Sequence, residues 1–216
     1  MDAHARDGHE RLTAIIPLAA RQRALPDAWR AAHRAILADW AASGHPPARE
    51  TLAALPGIDD VDALLARLAS DDMLVLDADG EIAGAYPFSG EATPHRVALG
   101  EVRVHAMCAV DALAMAPMLG THAQVDSACA ASGRAVQVAV DGARLGACAP
   151  ATLRVGIHWA SACGHTAHSL CRQMLFLADA DAARAWCAEA PEARLTYTPE
   201  QALALGAAFF VPLLRE

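Results

Sequence analysis

The sequence predicts an α+β protein. A helical N-terminal unit with a two-stranded wing, residues 1–88, precedes a mostly antiparallel sheet with flanking helices, residues 89–216. Three observations predict this. Apolar residues recur at helical spacing through the first third, short extended runs dominate after Pro94, and the composition changes character across Pro87–Pro94.

In chain order, residues 27–42 place Trp29, Ala32, Ile36 and Trp40 on one helical face, and Gly44-His45-Pro46-Pro47 breaks the pattern. A short helix over 49–55 follows. After the Pro56-Gly57 turn, a third helix over 59–69 carries Val61, Leu64, Leu65 and Leu68. Residues 73–76 and 82–86, flanking Asp77-Ala78-Asp79-Gly80, read as a hairpin. Three helices and a wing make a winged helix-turn-helix pattern. Beyond Pro94, short strands are expected over 96–99 and 102–104, and a helix over 105–119 closed by Pro117 and Gly120. Alternating runs at 123–128 and 135–140 flank Ala131-Ser132-Gly133 as a second hairpin. Residues 154–159 and 170–177 read as strands and 180–189 as a helix. Thr198, Pro199 and Gln201 mark the start of the last helix by a capping-box spacing.

Hydrophobic residues make up 55% of the 216 and charged residues 19%, which excludes a disordered chain. No apolar run is long enough to span a membrane. The polar start MDAHARDGHERL has none of the parts of a signal peptide, so a cytoplasmic protein with no membrane partner is expected. All 17 basic residues are arginine and the net charge is −8, a balance adverse to nucleic acid. Residues 1–72 hold 8 Arg against 11 Asp and Glu, and the would-be recognition helix over 59–69 has Asp59, Asp60 and Asp62 but only Arg67, so DNA is not an expected partner. The six cysteines form no CxxC pair and, in a reducing compartment, need not form disulfides.

Cys108 and Asp111 stand three apart, which puts both on one face of a helix. A thiol in a first helical turn is favoured as thiolate, and a neighbouring carboxyl can take up or give its proton. Cys171 opens a strongly apolar run, and Cys129 precedes a tight turn. Taken singly, each is better read as a buried structural thiol. Likewise His105 reads as a half-exposed residue with no role, and Met107, Met115 and Met118 as core.

In context these segments become specific. Residues 104–120 (VHAMCAVDALAMAPMLG), 125–133 (VDSACAASG), 169–176 (SLCRQMLF) and 202–214 (ALALGAAFFVPLL), with 47–55 (PARETLAAL) upstream, follow one another as in organomercurial (alkylmercury) lyases, a family the chain resembles over nearly its whole length. The resemblance implies a catalytic set of Cys108, Asp111 and Cys171, with Cys129 structural. It implies protonolysis of a carbon–mercury bond to a hydrocarbon and Hg(II), with Hg(II) held as product by Cys108 and Cys171. No organic cofactor and no permanent metal are expected. The partners implied are an organomercurial substrate and, as Hg(II) acceptor, cytosolic thiols or a mercuric reductase. The chemistry is physically reasonable, because soft Hg(II) prefers thiolates and is content with two.

Two departures stand out. Arg172 occupies the position where many members carry a second cysteine. Upstream, Cys163, His165 and His168 join Cys171 in a spacing that resembles a transition-metal ligand set. The alternative reading is a relative of the same fold that binds or senses a soft metal without cleaving carbon–metal bonds. Asp111 separates the two readings, since a metal trap needs no proton donor.

Overall fold

The computed structural model describes residues 1–159 and 166–215. Five helices open the chain: α1 (Ala3–Ile15), α2 (Leu18–Arg23), α3 (Asp27–Ser43), α4 (Arg49–Ala53) and α5 (Val61–Ser70). α3 buries Ala32, Ile36, Leu37 and Trp40 and stops at Gly44, which takes a left-handed φ of 87°. α5 starts where the Asp60 side chain accepts the Ala63 N–H, and it buries Leu64, Leu65 and Leu68. The hairpin β1 (Leu74–Leu76) and β2 (Ile82–Ala85) then pairs Leu74 with Ala85.

The remainder comprises β3 (Phe88–Ser89), β4 (Arg96–Leu99), β5 (Val102–Ala106), α6 (Ala109–Leu119), β6 (His122–Ala128), β7 (Ala135–Asp141), β8 (Arg144–Ala149), β9 (Arg154–His158), β10 (Met174–Leu177), α7 (Ala180–Ala188), β11 (Arg194–Tyr197) and α8 (Pro199–Phe210). One antiparallel sheet of eight strands runs in the order β1-β2-β3-β5-β4-β6-β7-β8, and a second of three in the order β10-β9-β11. The wing therefore joins the main sheet, with β3 pairing β2 on one side and β5 on the other.

α6 fills the centre. Residues Ala109 to Met118 are all buried, consistent with a helix apolar on every face. It packs on the sheet and on α8. The α8 approach is close: a Cβ on Gly206 would lie 3.0 Å from the Ala114 Cβ. α1 lies on the far side of α8, where Gly8 meets Leu205 and Tyr197. One hydrophobic cluster extends from Leu12 to Leu213. Among the described residues, no helix is long and apolar enough to cross a membrane.

Several expected boundaries move. The helix expected over 105–119 begins only at Ala109, because residues 102–106 continue as β5 and pair with β4. The strand expected over 170–177 begins at Met174, and Cys171–Gln173 is a 3-10 turn. α1, α2, β8 and β11 have no counterpart in the sequence reading.

Candidate active site

The chain leaves β5 and turns into α6 at Cys108. This residue is the N-cap, with extended backbone, and its Sγ accepts the Asp111 N–H at 3.3 Å. The thiol does at this helix what a serine or aspartate usually does. It is fully buried and lies 3.6 Å from the Met174 sulfur. Burial pushes the Cys108 thiol well above its ordinary range; hydrogen bonding to Cys171 and the nearby Asp111 charge add to this, and the Asp111 N–H opposes it.

Asp111, in the first turn of α6, is 3% exposed, and its Oδ2 has no hydrogen-bond partner among the described residues. Burial raises its carboxyl to about 7, despite hydrogen bonding with Cys108 that works the other way. A carboxylic acid with a pKa near neutrality can both accept and return a proton.

Cys171 reaches the same point from the opposite side of the core. Its anchors are distant in sequence. Asp72, at the end of α5 with a left-handed φ of 51°, accepts the Tyr86 hydroxyl at 2.9 Å. It also accepts the Thr166 hydroxyl at 2.5 Å and the Thr166 N–H at 3.2 Å. The Tyr86 oxygen in turn accepts the Ala167 N–H at 2.7 Å. Tyr86 remains a phenol, because burial and then the charges of Cys171 and Asp72 raise it. The Cys171 thiol is favoured as thiolate by its hydrogen bond with Cys108, but burial and the charges of Asp111 and Asp72 outweigh this and leave it raised.

The ligand atoms of Cys108, Asp111 and Cys171 all lie within 4.8 Å of one another. Leu12, Ile16, Phe209 and Phe210 cover them, leaving beside Asp111 and Cys171 a void of about 10 Å³, at the lower edge of what a water needs. Cys171 and Met174 also line a cleft of about 490 Å³, whose wall includes His95, Cys129 and Arg172. The inner void and the cleft thus meet at the same two sulfur residues.

His95 donates to or accepts from the Ser127 hydroxyl at 2.9 Å, and burial lowers it to about 4, so it is neutral at physiological pH. Cys129 ties two elements together: its Sγ accepts the Ala178 N–H at 3.2 Å, and the Ala130 N–H donates to the Phe176 carbonyl. His105 lies on β5, where it hydrogen-bonds the Thr93 backbone, and points to no reacting group. Of the second ligand set considered, Cys163 and His165 lie outside the described residues, and the His168 backbone is in the 3-10 turn Thr166–His168. Sequence reasoning missed Asp72, Tyr86 and Met174, whose roles rest on contacts across many residues that no local pattern announces.

Two thiols and a carboxyl converging beside a nearly closed void have the chemistry to hold a soft metal and to exchange a proton. Comparison with known proteins narrows the class. The alkylmercury lyase family model matches residues 88–211. An alkylmercury lyase of Staphylococcus epidermidis is 28% identical over 70% of this chain and 69% of its own length. One of Streptomyces lividans is 31% identical over 58% of each. In fold, the chain matches the crystal structure of the mercury-bound form of MerB2, with a TM-score of 0.78 at 24% identity over 99% of this chain and all of that one. The chain belongs to the alkylmercury lyase family and is a carbon–mercury lyase.

Proposed function

We propose that Cys108, Asp111 and Cys171 cleave R–Hg⁺ by protonolysis. The convergence of their ligand atoms within 4.8 Å is the observation that carries this reading. Both thiols are held protonated at rest, so an incoming mercury needs a base at hand. Asp111 supplies it. One thiol gives its proton to the carboxylate as its sulfur bonds mercury, and the second sulfur follows, releasing a proton to solvent.

Each added thiolate pushes electron density toward the carbon. Asp111 then returns its proton to that carbon; the electron pair of the C–Hg bond becomes the C–H bond. The balance is R–Hg⁺ + 2 Cys–SH → R–H + Cys108–S–Hg–S–Cys171 + H⁺. The reaction so written requires no organic cofactor and no resident metal. Hg(II) leaves to free thiols or to a mercuric reductase, and the cleft beside Cys171 offers the way out.

The test is hydrocarbon release from phenylmercury or methylmercury in excess thiol, with Cys108→Ser, Cys171→Ser and Asp111→Asn alongside. Turnover in the natural chain and its loss in all three variants is the expected result. Mercury bound tightly with no hydrocarbon formed would sink the enzyme mechanism and leave a soft-metal binding role.

A further inference from the structure

The proposed mechanism leaves unused the one arginine among the described residues of the cleft. Arg172 follows Cys171 directly and its exposed side chain lines the 490 Å³ cleft. No hydrogen-bond or ion-pair partner holds its guanidinium among the described residues. Of the arginines that line other pockets, Arg30, Arg34 and Arg103 are each tied to backbone carbonyls. Among the described residues lining the cleft, Arg172 is the only fixed cation. His95 is neutral there, and Glu91, on the same rim, makes no ion pair with Arg172.

We infer that Arg172 is a specificity residue that receives a carboxylate carried into the cleft together with mercury. A guanidinium fork matches a carboxylate in two parallel hydrogen bonds, and its neighbour in the chain is the thiol that takes the metal. The carboxylate can ride on the organic group, as in 4-mercuribenzoate, or on the thiol that delivers R–Hg⁺. The chemistry recognised is the same. The inference rests on the lyase reading of the site.

The experiment compares kcat/KM in two pairs. The first is 4-mercuribenzoate against phenylmercury, both supplied with 2-mercaptoethanol. The second is phenylmercury supplied with 3-mercaptopropionate against 2-mercaptoethanol. Each ratio is taken for the natural chain, Arg172→Gln, Arg172→Lys and Glu91→Gln. Because the same sulfurs act on both members of a pair, any effect of Arg172 on thiol reactivity cancels. The expected result is a ratio about five- to tenfold higher in the natural chain than in Arg172→Gln, in at least one pair, weakened by high salt. Arg172→Lys should keep part of it and Glu91→Gln should enlarge it. The responding pair identifies which molecule bears the carboxylate. Ratios equal in the natural chain and Arg172→Gln for both pairs, with phenylmercury still cleaved, would overturn this inference alone. No benzene from phenylmercury in the natural chain would overturn the lyase mechanism and this inference together.

Discussion

The two thiols of the site are held in opposite ways. Cys108 is placed by its own neighbours: β5 delivers it, α6 begins on it, and the hydrogen bond that fixes it spans three residues. Cys171 is placed by residues far away. Its short 3-10 turn follows a segment anchored to Asp72 and Tyr86, 94 and 81 residues distant from their partners. A locally determined thiol resists perturbation elsewhere; a thiol placed by tertiary contacts is adjustable, and Cys171 is also the one beside the cleft. The pairing suggests a fixed anvil and a tunable arm.

The largest effect should erase the comparison. Serine at either position removes a soft ligand from mercury, and hydrocarbon release should fall by about a thousandfold or more in both variants. Next comes Asp111, the group proposed to take the first thiol's proton. Its folded carboxyl titrates near 7 against 3.8 unfolded, so the folded state binds the extra proton between those values. Stability therefore falls as pH rises from 4 to 7, and the cost is complete above 7. Asp111→Asn should be inactive yet more stable at pH 8, by up to about 4 kcal/mol, with the gap closing on acidification and gone below pH 4. Urea melts at pH 4, 6 and 8 check it.

A smaller change should separate the two thiols. Tyr86→Phe removes the hydroxyl that joins Asp72 to the Ala167 N–H. Turnover should drop about tenfold, the equivalent of one or two hydrogen bonds, and Cys171 should become easier to alkylate while Cys108 does not. Peptide mapping after timed labelling reads both sites; equal change at both would break the distinction. The smallest effect isolates the cap. Cys108→Ala should cost about 1 kcal/mol relative to Cys108→Ser, because serine can still accept the Asp111 N–H.

The same contrast explains what the sequence disclosed. The shared face of Cys108 and Asp111 and the capping box at Thr198 and Gln201 are legible as spacing, whereas singling out Cys108, Asp111 and Cys171 as a set took the family resemblance. The start of α6 was misplaced because cysteine is an unusual cap, so the apolar stretch of β5 ran into the helix unmarked. α1 was not seen because its buried face is Ala5, Gly8 and Leu12, too slight to register as a stripe. β8 is an edge strand of mostly exposed or half-buried residues with no alternation. The clamp on the Cys171 segment was invisible, since Asp72, Tyr86 and Thr166 meet only once the chain has folded.

The two-residue strand β3 has a consequence of its own. Phe88 and Ser89 are a stitch: they pair with Ala85 and Gly84 on one side and with Ala106 and His105 on the other. Trimming the chain through this point would strip a neighbour from β5 two residues before Cys108 and bare a row of backbone donors and acceptors, an invitation to self-association. The segment from β1 to β3 is thus a hem on the main sheet, and a protein shortened through it should fail by clumping before it fails by chemistry.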